Sequence, residues 1–132
     1  MSVIAHRAAP LDAPENSIAA IRLAAKRGVK CVEIDVSFTK DMKAVVFHDD
    51  DVDRVTDGSG PIAELSLEQV QKLDLAAKHV LKDDFSPERI PTLDDFMDEA
   101  VKLGLKVILD LKTYKQPEET AKVVMKSIAM QY

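Results

Sequence analysis

Short apolar runs alternate with polar, turn-rich stretches along this chain, and the spacing of each run predicts an element. Val3-Ile4-Ala5 has strand length and is followed by a stretch containing Pro10 and Pro14, which predicts a strand and then a loop. Ile18, Ile21 and Ala25 recur at helical spacing, with Asn16 placed to cap that helix and Gly28 to end it. Cys31 to Val36 alternates and is rich in β-branched residues, and Ala44 to His48 makes another short strand after the polar Lys40-Asp41. The stretch between these two strands is too short for a crossover helix, so either the connection is extended or the strands are antiparallel.

From Asp49 to Arg89 the pattern is less regular, with Gly58 and Gly60 marking a loop and Ser66 and Gln69 forming a capping box ahead of a short helix through Leu73. This region reads as an excursion from the main sheet. Thr92 is placed to cap a helix whose Leu93, Phe96, Met97 and Ala100 share a face, and Gly104 to stop it. Val107 to Leu111 predicts the next strand, and a last amphipathic helix starts near Pro117 and runs to Tyr132. Strands separated by helices predict a parallel α/β fold.

Composition narrows the function. A chain of 132 residues with 46% hydrophobic and 31% charged content reads as one soluble globular domain. No apolar run reaches the length of a membrane span and Met1 to Arg7 lacks a secretory signal's apolar stretch, so a cytoplasmic location is expected, with membrane association through a further segment left open. Cys31 is the single cysteine, which rules out an intramolecular disulfide, fits a reducing compartment and is expected as small core filler. The net charge of -5 argues against nucleic acid as a partner. It leaves phosphate open as a substrate, provided a divalent cation sits between the ligand and the acidic residues.

Strand alternation puts Glu33 and Asp35 on one face, opposite Val32, Ile34 and Val36. Two neighbouring carboxylates are costly to bury without a cation, and an all-oxygen pair suits Mg²⁺ or Ca²⁺. The same rule puts Asp110 and Lys112 together, opposite Leu109 and Leu111, adding a third carboxylate and a point charge for a phosphate oxygen. His6 and His48 each stand at the C-terminal end of an apolar strand, where parallel α/β folds bind ligands, and both are candidate acid/base groups. His79 reads as surface or structural. Arg7 can grip a phosphate only if the strand ends at His6, because strict alternation would point it away. Glu15 reads as loop or helix-terminus electrostatics and Asn16 as a cap; of Asp49-Asp50-Asp51, Asp49 is kept as a candidate and the others are expected to be solvated.

Taken in order, His6-Arg7, Pro14-Glu15-Asn16-Ser17, Glu33-Ile34-Asp35-Val36 and His48-Asp49 resemble the glycerophosphodiester phosphodiesterase family. Arg54, Thr56, Gly58 and Gly60 resemble its R-x-T-x-G-x-G stretch, Ile90-Pro91-Thr92-Leu93 its I-P-T-L lead into a helix, and Asp110-Leu111-Lys112 its acid-x-lysine strand. The resemblance implies a TIM barrel of which residues 1–132 hold the first four or so β/α units, the N-terminal half, with a small insertion at about 49–89 after the third strand. It also implies roles: Glu33, Asp35 and Asp110 as ligands of Mg²⁺ or Ca²⁺, Arg7 and Lys112 on the phosphate, and His6 and His48 as the acid/base pair. The implied reaction is hydrolysis of a glycerophosphodiester to glycerol 3-phosphate and an alcohol, through attack of the substrate's own hydroxyl and a cyclic intermediate.

Two departures stand out. Ala8 occupies the place of the family's glycine after His-Arg, and a TIM barrel typically needs ~250 residues. The family's later strands, one with a tryptophan-containing motif, have no counterpart here, and the chain has no Trp. Open sheet edges would favour self-association. Two alternatives accompany the hydrolase: a weak or inactive binding or regulatory fragment, and a lysophospholipase D-like enzyme acting on lysophospholipids.

Overall fold

A computed structural model describes residues 4–8 and 12–111; Lys112 and the helix expected from Pro117 lie outside them. The strands are β1 (Ile4–His6), β2 (Cys31–Phe38), β3 (Ala44–Val46) and β4 (Lys106–Leu111). The helices are α1 (Ile18–Lys26), α2 (Leu67–Gln71), α3 (Lys82–Phe85) and α4 (Leu93–Lys102), with a 3₁₀ turn at Ile62–Glu64.

β2 is the hub of the sheet. Its first half pairs in parallel with β1, from Ile4 opposite Cys31 to His6 opposite Glu33, and its other edge pairs in parallel with β4, from Cys31 opposite Lys106 to Val36 opposite Leu111. β3 turns back antiparallel, with Val36 opposite Val46 and Phe38 opposite Ala44, which decides between the two connections left open by the sequence. A strand residue has one partner on each edge. Because Val36 pairs with both Val46 and Leu111, β3 lies on β1's side and runs toward the end of β1. Its outer edge is covered by the approach to α4, where Val46 N–H donates to the Pro91 carbonyl at 3.0 Å.

Helix boundaries follow local chemistry. Ser17, and not Asn16, caps α1: its hydroxyl accepts from Ala20 N–H at 3.0 Å. Asn16 precedes the cap in the left-handed region at φ 59°, a conformation asparagine tolerates better than most residues. Gly28 and Gly104, at φ 85° and 69°, let the chain leave α1 and α4 in that region without a Cβ penalty. The Ser66–Gln69 capping box of α2 is present, although the helix stops at Gln71, short of the expected Leu73. Thr92 caps α4 by accepting from Asp95 N–H, and Asp94 and Asp95 lie in its first turn, where acids oppose the helix dipole favourably.

Two apolar centres result. Val32, Ile34 and Val36 of β2 meet Ile21 and Ala24 of α1 and Leu93, Phe96 and Ala100 of α4. Val45 and Phe47 face the opposite way from Val46, into a second cluster with Val52, Ile62, Val70, Leu75 and Ile90, so the 49–89 region folds around a second apolar centre that it shares with β3 and its flanks. Cys31 is half-buried and shares the Glu33/Asp35 face of β2, so it is not the core filler expected; strand alternation assigns it to the site face. Among the described residues no helix is long and apolar enough to cross a membrane.

Candidate active site

The sheet brings three carboxylates together. Asp35 and Asp110 are direct partners across β2 and β4, and Glu33 lies one side-chain period earlier on the same face. One oxygen from each of Glu33, Asp35 and Asp110 comes within 4.8 Å of the others. Asp35 is 1% exposed, Glu33 half-buried and Asp110 open to solvent. Such a group of like charges is unfavourable by itself, whereas its all-oxygen chemistry suits a hard divalent cation.

Asp35 is held from outside the sheet. Asn16 Nδ2 donates to Asp35 Oδ2 at 3.1 Å, and Asp35 N–H donates to Asn16 Oδ1 at 3.4 Å. The backbone N–H of Asn16 donates in turn to the Arg7 carbonyl at 2.9 Å. The left-handed turn at Asn16 is what allows one side chain to make these contacts, so the expected cap is instead a carboxylate holder.

The condition on Arg7 is met: β1 ends at His6, and Arg7 and Ala8 follow at φ 48° and 56°. The chain therefore leaves strand alternation, and Arg7 turns toward the site. Its buried Nε has no hydrogen-bond partner among the described residues and lies 3.9 Å from Asp35 Oδ2. Ala8, where the family has glycine, is fully buried in a conformation that glycine adopts at less cost. His6 stands beside Glu33, its Nε2 3.5 Å from Glu33 Oε1, with 63% of the side chain exposed.

His48 follows β3 and joins a closed loop of polar side chains. Arg7 Nη2 donates to His48 Nε2 at 2.7 Å. A guanidinium only donates, so Nε2 accepts and the ring proton is on Nδ1, which donates to Asp49 Oδ1 at 2.6 Å. Arg54 Nε donates to Asp49 Oδ2 at 2.7 Å, while its Nη1 and Nη2 donate to the two oxygens of Glu15, each at 2.9 Å. Glu15 Oε2 lies 3.6 Å from Arg7 Nη1 and closes the loop. The hydrogen bonds from Arg54, then the one from His48, hold the Asp49 carboxyl below its ordinary range despite partial burial. Asp49 and Glu15 raise the Arg54 guanidinium in turn.

The sequence marks Glu15 only as loop or helix-terminus electrostatics and Arg54 only as part of a motif; together they are the far side of the site. The signal was their place in the Pro-Glu-Asn-Ser and R-x-T-x-G-x-G stretches, since neither is marked by periodicity. Asp50 and Asp51 are exposed, as expected. His79 is structural in that its Nδ1 accepts from Leu81 N–H at 3.0 Å and its ring meets Phe85 edge-on. It also lines a cavity of about 410 Å³ beside the site, with Arg7, Glu15, Arg54, Leu75, Lys78 and Val80 among the other walls.

The sequence matches the profile of the glycerophosphoryl diester phosphodiesterase family over residues 6–131. It is 46% identical to glycerophosphodiester phosphodiesterase 1 of Rattus norvegicus, with 100% of this chain aligned to 39% of that one. A glycerophosphodiester phosphodiesterase of Caldanaerobacter subterraneus is 46% identical over 84% of this chain and 45% of its own. The chain therefore spans less than half the length of these curated relatives. Among solved structures, an Oleispira antarctica phosphodiesterase in complex with the product sn-glycerol-3-phosphate superposes with a TM-score of 0.92 at 35% identity, over 100% of this chain and 53% of that one. A glycerophosphodiester phosphodiesterase from Agrobacterium tumefaciens superposes with a TM-score of 0.83 at 31% identity, over 96% and 53% of the two chains. The partly parallel sheet and its helices are thus part of a TIM-barrel-type fold. With the profile matched along nearly its whole length and the ordered motifs meeting around one site, the chain belongs to the glycerophosphoryl diester phosphodiesterase family.

Proposed function

We propose that this protein hydrolyses glycerophosphodiesters to glycerol 3-phosphate and an alcohol, with Mg²⁺ or Ca²⁺ held by Glu33, Asp35 and Asp110. The observation that carries this reading is the meeting of three carboxylates within 4.8 Å beside Arg7, His6 and His48. A cation bound there would offset the charge of a phosphoryl oxygen and make phosphorus more electrophilic. Arg7 binds a second phosphate oxygen, and Lys112, outside the described residues, is assigned the same task from its place two residues after Asp110 in the sequence.

In the first step the substrate's own glycerol hydroxyl attacks phosphorus, and the bond to the leaving alcohol breaks. His48 Nε2 is an acceptor in its tautomer; once phosphate draws Arg7 away, it takes the hydroxyl proton. His6, the more exposed ring, protonates the leaving alcohol. Water then opens the cyclic phosphate with the proton transfers reversed. The 49–89 region, read as an insertion after β3, contributes Arg54 to the site and Lys78 to the cavity, which has room for the alcohol part of a diester.

The deciding experiment measures glycerol 3-phosphate released from glycerophosphocholine and glycerophosphoinositol in Mg²⁺, Ca²⁺ or chelator, beside Glu33→Ala. Cation-dependent release that disappears in the variant is the expected result. Folded protein that binds cation and releases nothing would favour a non-catalytic binding role. Exposed Val80 and Leu81 near the cavity support a second reading, a lysophospholipid substrate, for which choline release from lysophosphatidylcholine is the discriminating assay. We also propose self-association through the open face of the sheet, where Ile4 and Ile108 are 52% and 46% exposed.

A further inference from the structure

We propose that Arg54 is a positioning residue: by clamping Asp49 and Glu15 in one fork, it fixes the Nδ1–H tautomer of His48 and the aim of Arg7. Only the catalytic consequence rests on the function proposed above; the tautomer itself does not.

The geometry requires a planar fork. Arg54 spends Nε and Nη2 on the two oxygens of Asp49, at 2.7 and 3.1 Å, and Nη1 and Nη2 on those of Glu15, both at 2.9 Å. A lysine has one nitrogen and could not hold two carboxylates in this way. Asp49, fixed by that grip, is the acceptor of His48 Nδ1–H. At the other end of the ring, Arg7 demands an acceptor at Nε2. The opposite tautomer would set an N–H against the Arg7 N–H and leave Nδ1 facing a carboxylate as a second acceptor, so both ends of the ring select one state. Glu15 restrains Arg7 from the far side, at 3.6 Å, and is itself held by Arg54.

The backbone presenting Arg54 is built for this task. Thr56, fully buried, donates its hydroxyl to the Val52 carbonyl at 2.7 Å and accepts from Gly58 N–H at 3.0 Å. A Cβ on Gly58 would stand 2.5 Å from Leu73 Cδ2, so any side chain there requires Leu73 to shift. The threonine and first glycine of R-x-T-x-G-x-G thus hold the turn on which Arg54 is carried. An exposed ion pair alone contributes little to stability, which makes a purely stapling role for this half-exposed arginine the weaker explanation of a two-carboxylate-and-ring arrangement.

The test is long-range ¹H–¹⁵N correlation spectroscopy of the histidine-labelled 132-residue chain at pH 8, with the His48 signals assigned by His48→Gln. The expected wild-type pattern is that of an Nδ1–H ring; an Nε2–H pattern would overturn the inference without any variant. In Arg54→Ala and Arg54→Lys the Nε2–H pattern should grow in while His6 and His79 keep their signals, and an unchanged Nδ1–H pattern in folded Arg54→Ala would also sink it. In a turnover assay both variants should lose about tenfold or more in kcat with a smaller change in KM. Inactive wild-type chain with the Nδ1–H pattern would refute the proposed hydrolysis and leave this inference standing, whereas active chain with an Nε2–H ring would do the reverse.

Discussion

Asp35 is nearly inaccessible, and a buried carboxylate depends on the groups that solvate it in place of water. Asn16 provides a donor to the side chain and an acceptor for the backbone N–H. Asn16→Ala should therefore cost about 1–3 kcal/mol in urea unfolding, because it removes two hydrogen bonds from the buried Asp35. It should also weaken cation binding, measured by calorimetric titration with Ca²⁺ or Mn²⁺, by roughly 10–100-fold, the usual effect of losing a group that orients a metal ligand. Asp49 gives a prediction with a sign. Arg54 lowers its folded pKa below the unfolded value of about 3.9, so its contribution to stability is complete above that value and is lost as pH falls through the folded one. The Tm difference between wild type and Asp49→Asn should be large at pH 7 and shrink toward pH 3; a constant difference would count against the ion-pair origin of the shift.

Among elements, α4 shows how one helix connects sequence pattern to site. Its stripe of Leu93, Phe96 and Ala100 packs on the face of β2 opposite the carboxylates, so the apolar face of the strand anchors the element that displays Glu33 and Asp35. Phe96 is fully buried. Phe96→Ala should destabilise by about 3–5 kcal/mol in denaturant unfolding, with the spread set by how far the cavity collapses. β3 has a comparable double role: Val46 joins the first apolar centre and Val45 and Phe47 the second, and its antiparallel course brings His48 to Arg7 at the end of β1. A parallel β3 would carry its C-terminal histidine away from that point.

At the scale of the molecule, the described residues form a sheet with an apolar face packed by helices and a second face that is partly open. Ile4 and Ile108 lie on the open face, with Cys31 between their strands. Apolar residues exposed on an open sheet face favour association. Sedimentation velocity of the 132-residue chain should show a weight-average mass that rises with concentration, and Ile108→Glu should suppress the rise; monomer at every concentration would remove the self-association proposal.

Much of this was legible in the residues alone. The period of two along Val32 to Val36 separated the metal-candidate face from the core face, and Ser66, Thr92, Gly28 and Gly104 marked helix ends through the hydrogen bonds and backbone angles they allow. These are local effects, acting over a few residues. The sequence pointed to Asn16 as the cap, because its side chain can accept from a helix N–H; packing gave that task to Ser17 and turned the asparagine to Asp35. Nor could it reveal that Arg54 reaches Glu15, or that Asp110 falls opposite Asp35, because both depend on the register between segments far apart in the chain. Local order decided which residues face the site, while strand pairing and burial decided which of them meet, since charges and hydrogen bonds act through space and find their partners only after the chain has folded.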